Sequence, residues 1–173
     1  GKFVAGLVLC LCNTNHKHPR KGYEMQVMEA ATVAEARFHE TMFPRQEVGN
    51  GFALPDAMLL GVTVRGDDVY LTPEVARAGD IYQLLDSPEA KNAARKFDYV
   101  ALATCGWAAP IDERATDRAP SESPDRRRVR LFIVANADAV ANVMRFQDDP
   151  DEPITDAGEA KGPLAEAVQE LFW

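Results

Sequence analysis

Asp98-Tyr99-Val100-Ala101-Leu102-Ala103-Thr104-Cys105 and, after a polar interruption, Arg128-Val129-Arg130-Leu131-Phe132-Ile133-Val134 are the two stretches that decide the fold of this chain. Each is a run of apolar residues of strand length, bounded by turn formers. Gly106-Trp107-Ala108-Ala109-Pro110 breaks the first run, and Asn136-Ala137-Asp138-Ala139 closes the second. A third run, about 140–146, follows that short turn and is expected to pair antiparallel with its predecessor. The polar stretch at about 106–127 is long for a connection without structure of its own, and such loops in compact domains are usually functional or disordered. The loop and its Thr104-Cys105-Gly106-Trp107 root are therefore the first place to look for a site.

Working toward the N-terminus, residues 3–11 form a continuous apolar run, the pattern of a strand covered on both faces. Even extended to Cys12, the run is ten residues, too few to span a bilayer. Lys2 ahead of it outlines a secretory leader, but the small residues of a cleavage site are missing. A buried strand is the expectation, with a polar loop at 13–22 behind it. Residues 23–43 carry the clearest helical signal: Val27, Ala31, Ala34, Phe38 and Met42 form one stripe, and Pro44 stops it.

Gly49-Asn50-Gly51 reads as a turn, and Arg65-Gly66-Asp67-Asp68 joins two strand-like runs as a hairpin. Thr72-Pro73-Glu74 and Ser87-Pro88-Glu89 repeat one helix-start device, a capping hydroxyl followed by proline and an acid. They predict short helices at about 73–86 and 88–97. Residues 147–161 are acidic and turn-rich, and a last amphipathic helix covers 164–172. The whole reads as one α+β domain over 1–173. It combines a mainly antiparallel sheet of about five to six strands with a long helix near the N-terminus, two short central helices and a C-terminal helix.

The chain has 173 residues, 46 % hydrophobic and 27 % charged, as in ordinary globular proteins. Its net charge of −8 argues against general nucleic-acid binding, which needs a basic face to displace counterions from phosphates. No membrane association is expected. Arginine outnumbers lysine and alanine is abundant, which suggests a GC-rich bacterial gene. Three cysteines in a chain able to build its own core suggest reduced thiols and a cytoplasmic setting.

Three groups of residues could carry chemistry. Cys10, Cys12, His16 and His18 bring thiolates and imidazoles close together, a donor set suited to zinc. Their spacing matches no usual zinc pattern, and Cys10 lies in an apolar run, so core cysteines beside a solvated loop are favoured and no cofactor is expected. Cys105, at a strand end, is the candidate nucleophile, a role that needs a lowered pKa and a nearby base. Trp107 beside it could wall a pocket.

Arg127, Arg128 and Arg130, with Arg126, form the dense basic group able to clamp a carboxylate or phosphate. Opposing them are Asp112, Glu113, Asp117, Glu122 and Asp125 in the loop, and Asp148, Asp149, Asp151, Glu152, Asp156 and Glu159 beyond the hairpin. Pairing of the arginines with these acids is the favoured account. His39-Glu40 lacks the second histidine of a metalloprotease helix, and no phosphate-binding glycine loop or nucleophile elbow is present. The expected function is a non-catalytic binding module for a protein or small anionic ligand. The alternative is a small enzyme using Cys105 on an anionic substrate. The apolar Leu171-Phe172-Trp173 suits either its own sheet or a second subunit, leaving a homo-oligomer open.

Overall fold

A computed structural model describes residues 3–5, 9–10, 23–42, 54, 56–72, 75–110, 119–155 and 163–173. The elements in chain order are β1 (Phe3–Ala5), β2 (Leu9–Cys10), α1 (Tyr23–Met42), β3 (Ala57–Arg65), β4 (Asp68–Leu71) and β5 (Ala76–Ala78). Then come α2 (Ile81–Leu85), α3 (Pro88–Lys96), β6 (Tyr99–Pro110), β7 (Arg127–Ala135), β8 (Val140–Phe146), β9 (Asp149–Thr155) and α4 (Pro163–Glu170). The fold is α+β. All nine strands among the described residues join one sheet in the order β2-β1-β6-β7-β8-β9, with β3 branching from β6 and carrying β4 and β5. Every pairing is antiparallel. No helix among the described residues is long and apolar enough to cross a membrane.

The unbroken apolar character of the central strands has a simple cause: both faces of the sheet are covered. Val27, Ala31, Ala34 and Phe38 of α1 pack on one face against Met58, Ala101, Ala103, Phe132, Val134 and Val143. The other face buries Leu59, Leu102, Leu131, Ile133 and Met144 beneath α2, α3 and α4. Alternate residues of each central strand therefore enter opposite cores, and neither parity is left for water.

Several boundaries differ from those the sequence suggests. The Gly106–Pro110 stretch does not break the strand but continues it. Gly106 faces Val129 across the ladder, Ala108 and Ala109 are buried, and Pro110 sits at the strand's end opposite Phe3. Gly106 is carried by its ladder to β7, and Pro110 stands beyond the end of that ladder, where its missing N–H breaks no bond to β7. The loop is thereby shortened at its N-terminal side, and one turn of 3-10 helix, Pro120–Glu122, lies within its C-terminal part.

The expected helix over 73–86 is also replaced. Ala76–Ala78 pairs with β3, and the helix begins only at Ile81, where the Asp80 carboxylate accepts a hydrogen bond from the Gln83 N–H at 3.0 Å. Ser87 caps α3 as its sequence implies, its hydroxyl accepting from Ala90 N–H at 3.2 Å. In the acidic stretch after Phe146, Asp149–Thr155 forms strand β9 along β8, with a register slip between Met144 and Phe146. The run at 3–11 is divided into β1 and β2, which pair with each other. The hairpin turn at Arg65–Asp68 is confirmed, with Gly66 at φ +61°, a conformation glycine adopts at no steric cost. The loop at 13–22 and the Gly49-Asn50-Gly51 turn lie outside the described residues.

Candidate functional site

The β6–β7 register assembles the residues that the sequence singles out. Trp107 stands opposite Arg128 and Cys105 opposite Arg130, so all four side chains emerge on the α1 face. One strand further on, Arg130 is level with Arg145 of β8. Arg127, one residue out of phase, belongs to the other face. There it pairs with Asp148 through Nε–Oδ2 at 2.8 Å and Nη2–Oδ1 at 2.5 Å, and stacks on Phe146 at 4.0 Å. This ion pair holds the Asp148 carboxyl below the usual carboxylate range. Arg127 is thus part of an internal pair and not of a clamp with Arg128 and Arg130.

Beneath α1 lies a buried polar cluster. Glu35 and His39, one helical turn apart, face the two arginines. The Arg145 Nε donates to Glu35 Oε2 at 2.9 Å, its Nη2 donates to Oε1, and its Nη1 donates to the Pro150 carbonyl in β9. Arg130, only 1 % exposed, donates from Nη2 to His39 Nδ1 at 2.5 Å and lies 5.7 Å from the Phe38 ring centroid. A guanidinium can only donate, so Nδ1 accepts and the neutral imidazole carries its proton on Nε2. Burial pushes the Arg130 guanidinium down to about 10, which leaves it charged at neutral pH.

Desolvation, followed by the charges of Arg145 and Arg130, pushes the His39 imidazole below its usual value, with Glu35 and Asp151 pulling the other way. The unfolded chain therefore takes up this proton first. Stability is expected to be intact above about pH 6.5, the ordinary histidine value, and to fall as the pH drops toward the lower folded value. Denaturant titrations of the native protein and His39→Gln at pH 8 and pH 5.5 check this. The variant should lose less stability between the two, and an equal loss would show that His39 is not the group responsible.

Cys105 is half-buried, and its Sγ accepts a hydrogen bond from Leu54 N–H at 3.2 Å. Burial pushes the thiol up, and the Leu54 N–H, Arg128 and Arg130 offset this only in part. That is the wrong direction for a nucleophile, which acts as thiolate. Trp107 has a different environment. The guanidinium carbons of Arg126 and Arg128 lie 5.0 and 5.1 Å from its ring centroid, within cation–π range. Neither arginine forms an ion pair among the described residues.

Of the candidate metal ligands, Cys10 lies in β2, while Cys12, His16 and His18 fall outside the described residues, as do the acids Asp112, Glu113, Asp117, Asp156 and Glu159. Among the described residues no group of three metal-ligating side chains comes together. Glu35, His39 and Arg145 join the cluster without having been singled out as partners. One signal was available: Arg145 is a lone charge in the otherwise apolar run Val143-Met144-Arg145-Phe146. No protein-family model matches the chain, and curated proteins and solved structures yield no match either.

Proposed function

We propose that this chain is a non-catalytic binding module that takes an anionic group, carboxylate or phosphate, at the strand ends where Arg126 and Arg128 rest against Trp107. The observation that carries this reading is that both guanidinium groups stack on one aromatic ring and, among the described residues, neither pairs with an acid. Stacking restrains a long side chain while leaving its N–H donors available, and a guanidinium matches a carboxylate or phosphate through two parallel hydrogen bonds. Such a site starts with part of its ordering cost already met. A chain of net charge −8 repels polyanions in general, so a local basic patch favours a small ligand over nucleic acid. The raised pKa of Cys105 counts against the alternative of a thiol enzyme. A reducing, cytoplasmic setting in a bacterium fits the half-buried Cys105 thiol and the arginine-rich composition.

The test is a titration with inorganic phosphate and with succinate, followed by Trp107 fluorescence in a Trp173→Phe background. A saturable change is expected. Arg126→Ala combined with Arg128→Ala should weaken binding by about tenfold or more, each charge-assisted hydrogen bond contributing roughly 1.5–3 kcal/mol. A linear response to both anions, or equal affinity in the double variant, would remove the basis of the proposal.

A further inference from the structure

On the sheet face opposite α1, a groove of about 640 Å³ runs between α3 and α4. Its floor and ends are aromatic and aliphatic. Leu85 and Phe172 lie within it, Tyr82 is 54 % exposed, and Trp173 is 79 % exposed. Its walls are charged with opposite sign. Lys91 and Arg95, one turn apart on α3, form one wall, with Asp86 at the end of α2 beside them, and Glu166 and Glu170, one turn apart on α4, form the other. No ion pair among the described residues engages any of these four α3 and α4 side chains. Within one copy the two rows stay apart, and each faces water.

From this arrangement we infer that the α3–α4 groove is a homodimer interface, its occupant being the same groove of a second copy. A two-fold axis running along the groove turns one copy over onto the other and exchanges left for right. The basic row of each copy then meets the acidic row of its mate, and the aromatic floors close on each other. A partner for this surface needs one basic and one acidic ridge at matching separation, with apolar surface between. The chain itself satisfies that requirement without any further component. Exposed tyrosine and tryptophan beside charged side chains are also what stable interfaces are enriched in at their anchors and carry at their rims. The dimer would leave the Trp107 cluster, on the α1 face, uncovered in both copies.

The experiment is sedimentation equilibrium of the full chain from micromolar to millimolar concentration, with circular dichroism to establish folding of each variant. The native chain is expected to dimerise, more weakly at high salt because the rim pairs are screened. Lys91→Glu with Arg95→Glu should give a folded monomer, and so should Glu166→Lys with Glu170→Lys. An equimolar mixture of the two reversed chains should form a mixed dimer, since each can then face a complementary row. Trp173→Ala should weaken native association by at least about tenfold. A native chain that stays monomeric throughout, or a dimer indifferent to both reversals, overturns the inference. So does a mixture of the two folded variants that fails to associate.

Discussion

Glu35→Ala is expected to destabilise the fold by about 3–5 kcal/mol, the cost of leaving a buried charge without its partner. Glu35 and Arg145 are both nearly inaccessible, and two parallel hydrogen bonds join carboxylate to guanidinium between α1 and β8. With the carboxylate gone, the Arg145 cation keeps, among the described residues, only the Pro150 carbonyl and lies close to Arg130, a second cation. Water cannot reach it without parting α1 from the sheet. Because desolvation opposes the attraction within such pairs, Glu35→Leu with Arg145→Met is expected to cost far less than Glu35→Ala alone. Guanidinium chloride titrations of the native chain, both single variants and the double variant give the coupling directly. A loss below about 1 kcal/mol for Glu35→Ala would mean that the pair is hydrated in solution.

Phe132→Ala should produce a loss of similar size, about 3–5 kcal/mol, by a different route. Phe132 is 1 % exposed on the central strand β7, and its ring packs on Phe38 of α1 with centroids 5.4 Å apart. Truncation removes a large apolar side chain from a spot walled by Ala103 and Val143, its neighbours on the flanking strands. Those side chains are too short to collapse into the gap, so a cavity remains and its cost adds to the transfer term. Phe132→Leu should lose markedly less, because it keeps most of the volume. Equal denaturation midpoints for Phe132→Ala and the native chain would contradict its burial.

The parts of the fold legible in sequence are those whose partners lie nearby in the chain or whose burial is complete. The β7–β8 hairpin, the α1 stripe and the Ser87 cap are of this kind. β9 was illegible because an outer strand exposed along most of its length has no reason to alternate, and its acids and prolines imitate a loop. β5 exists because β3 offers it a ladder, a tertiary fact that three residues cannot announce. Gly106 and Pro110 imitate a strand end because the alanines between them are buried only by β1 and β7, which lie far off in the chain. In the site, a period of two puts Arg128 and Arg130 on one face and Arg127 on the other, and the favoured pairing with acids holds for Arg127, which meets Asp148. The pairing of α1's Glu35 and His39 with β7 and β8 depends on how the helix crosses the sheet, which no local pattern specifies.

The makeup of β9 also bears on how the protein behaves when crowded among its own kind. This strand ends the β6–β7–β8–β9 path, and an outer strand of a sheet invites another chain to add itself. Pro150 and Pro153 interrupt its row of amide donors, while Asp149, Asp151 and Glu152 repel a like-charged newcomer. Replacing the two prolines would cost the native fold little, yet it would open a path to fibrous aggregation that the sequence now keeps shut.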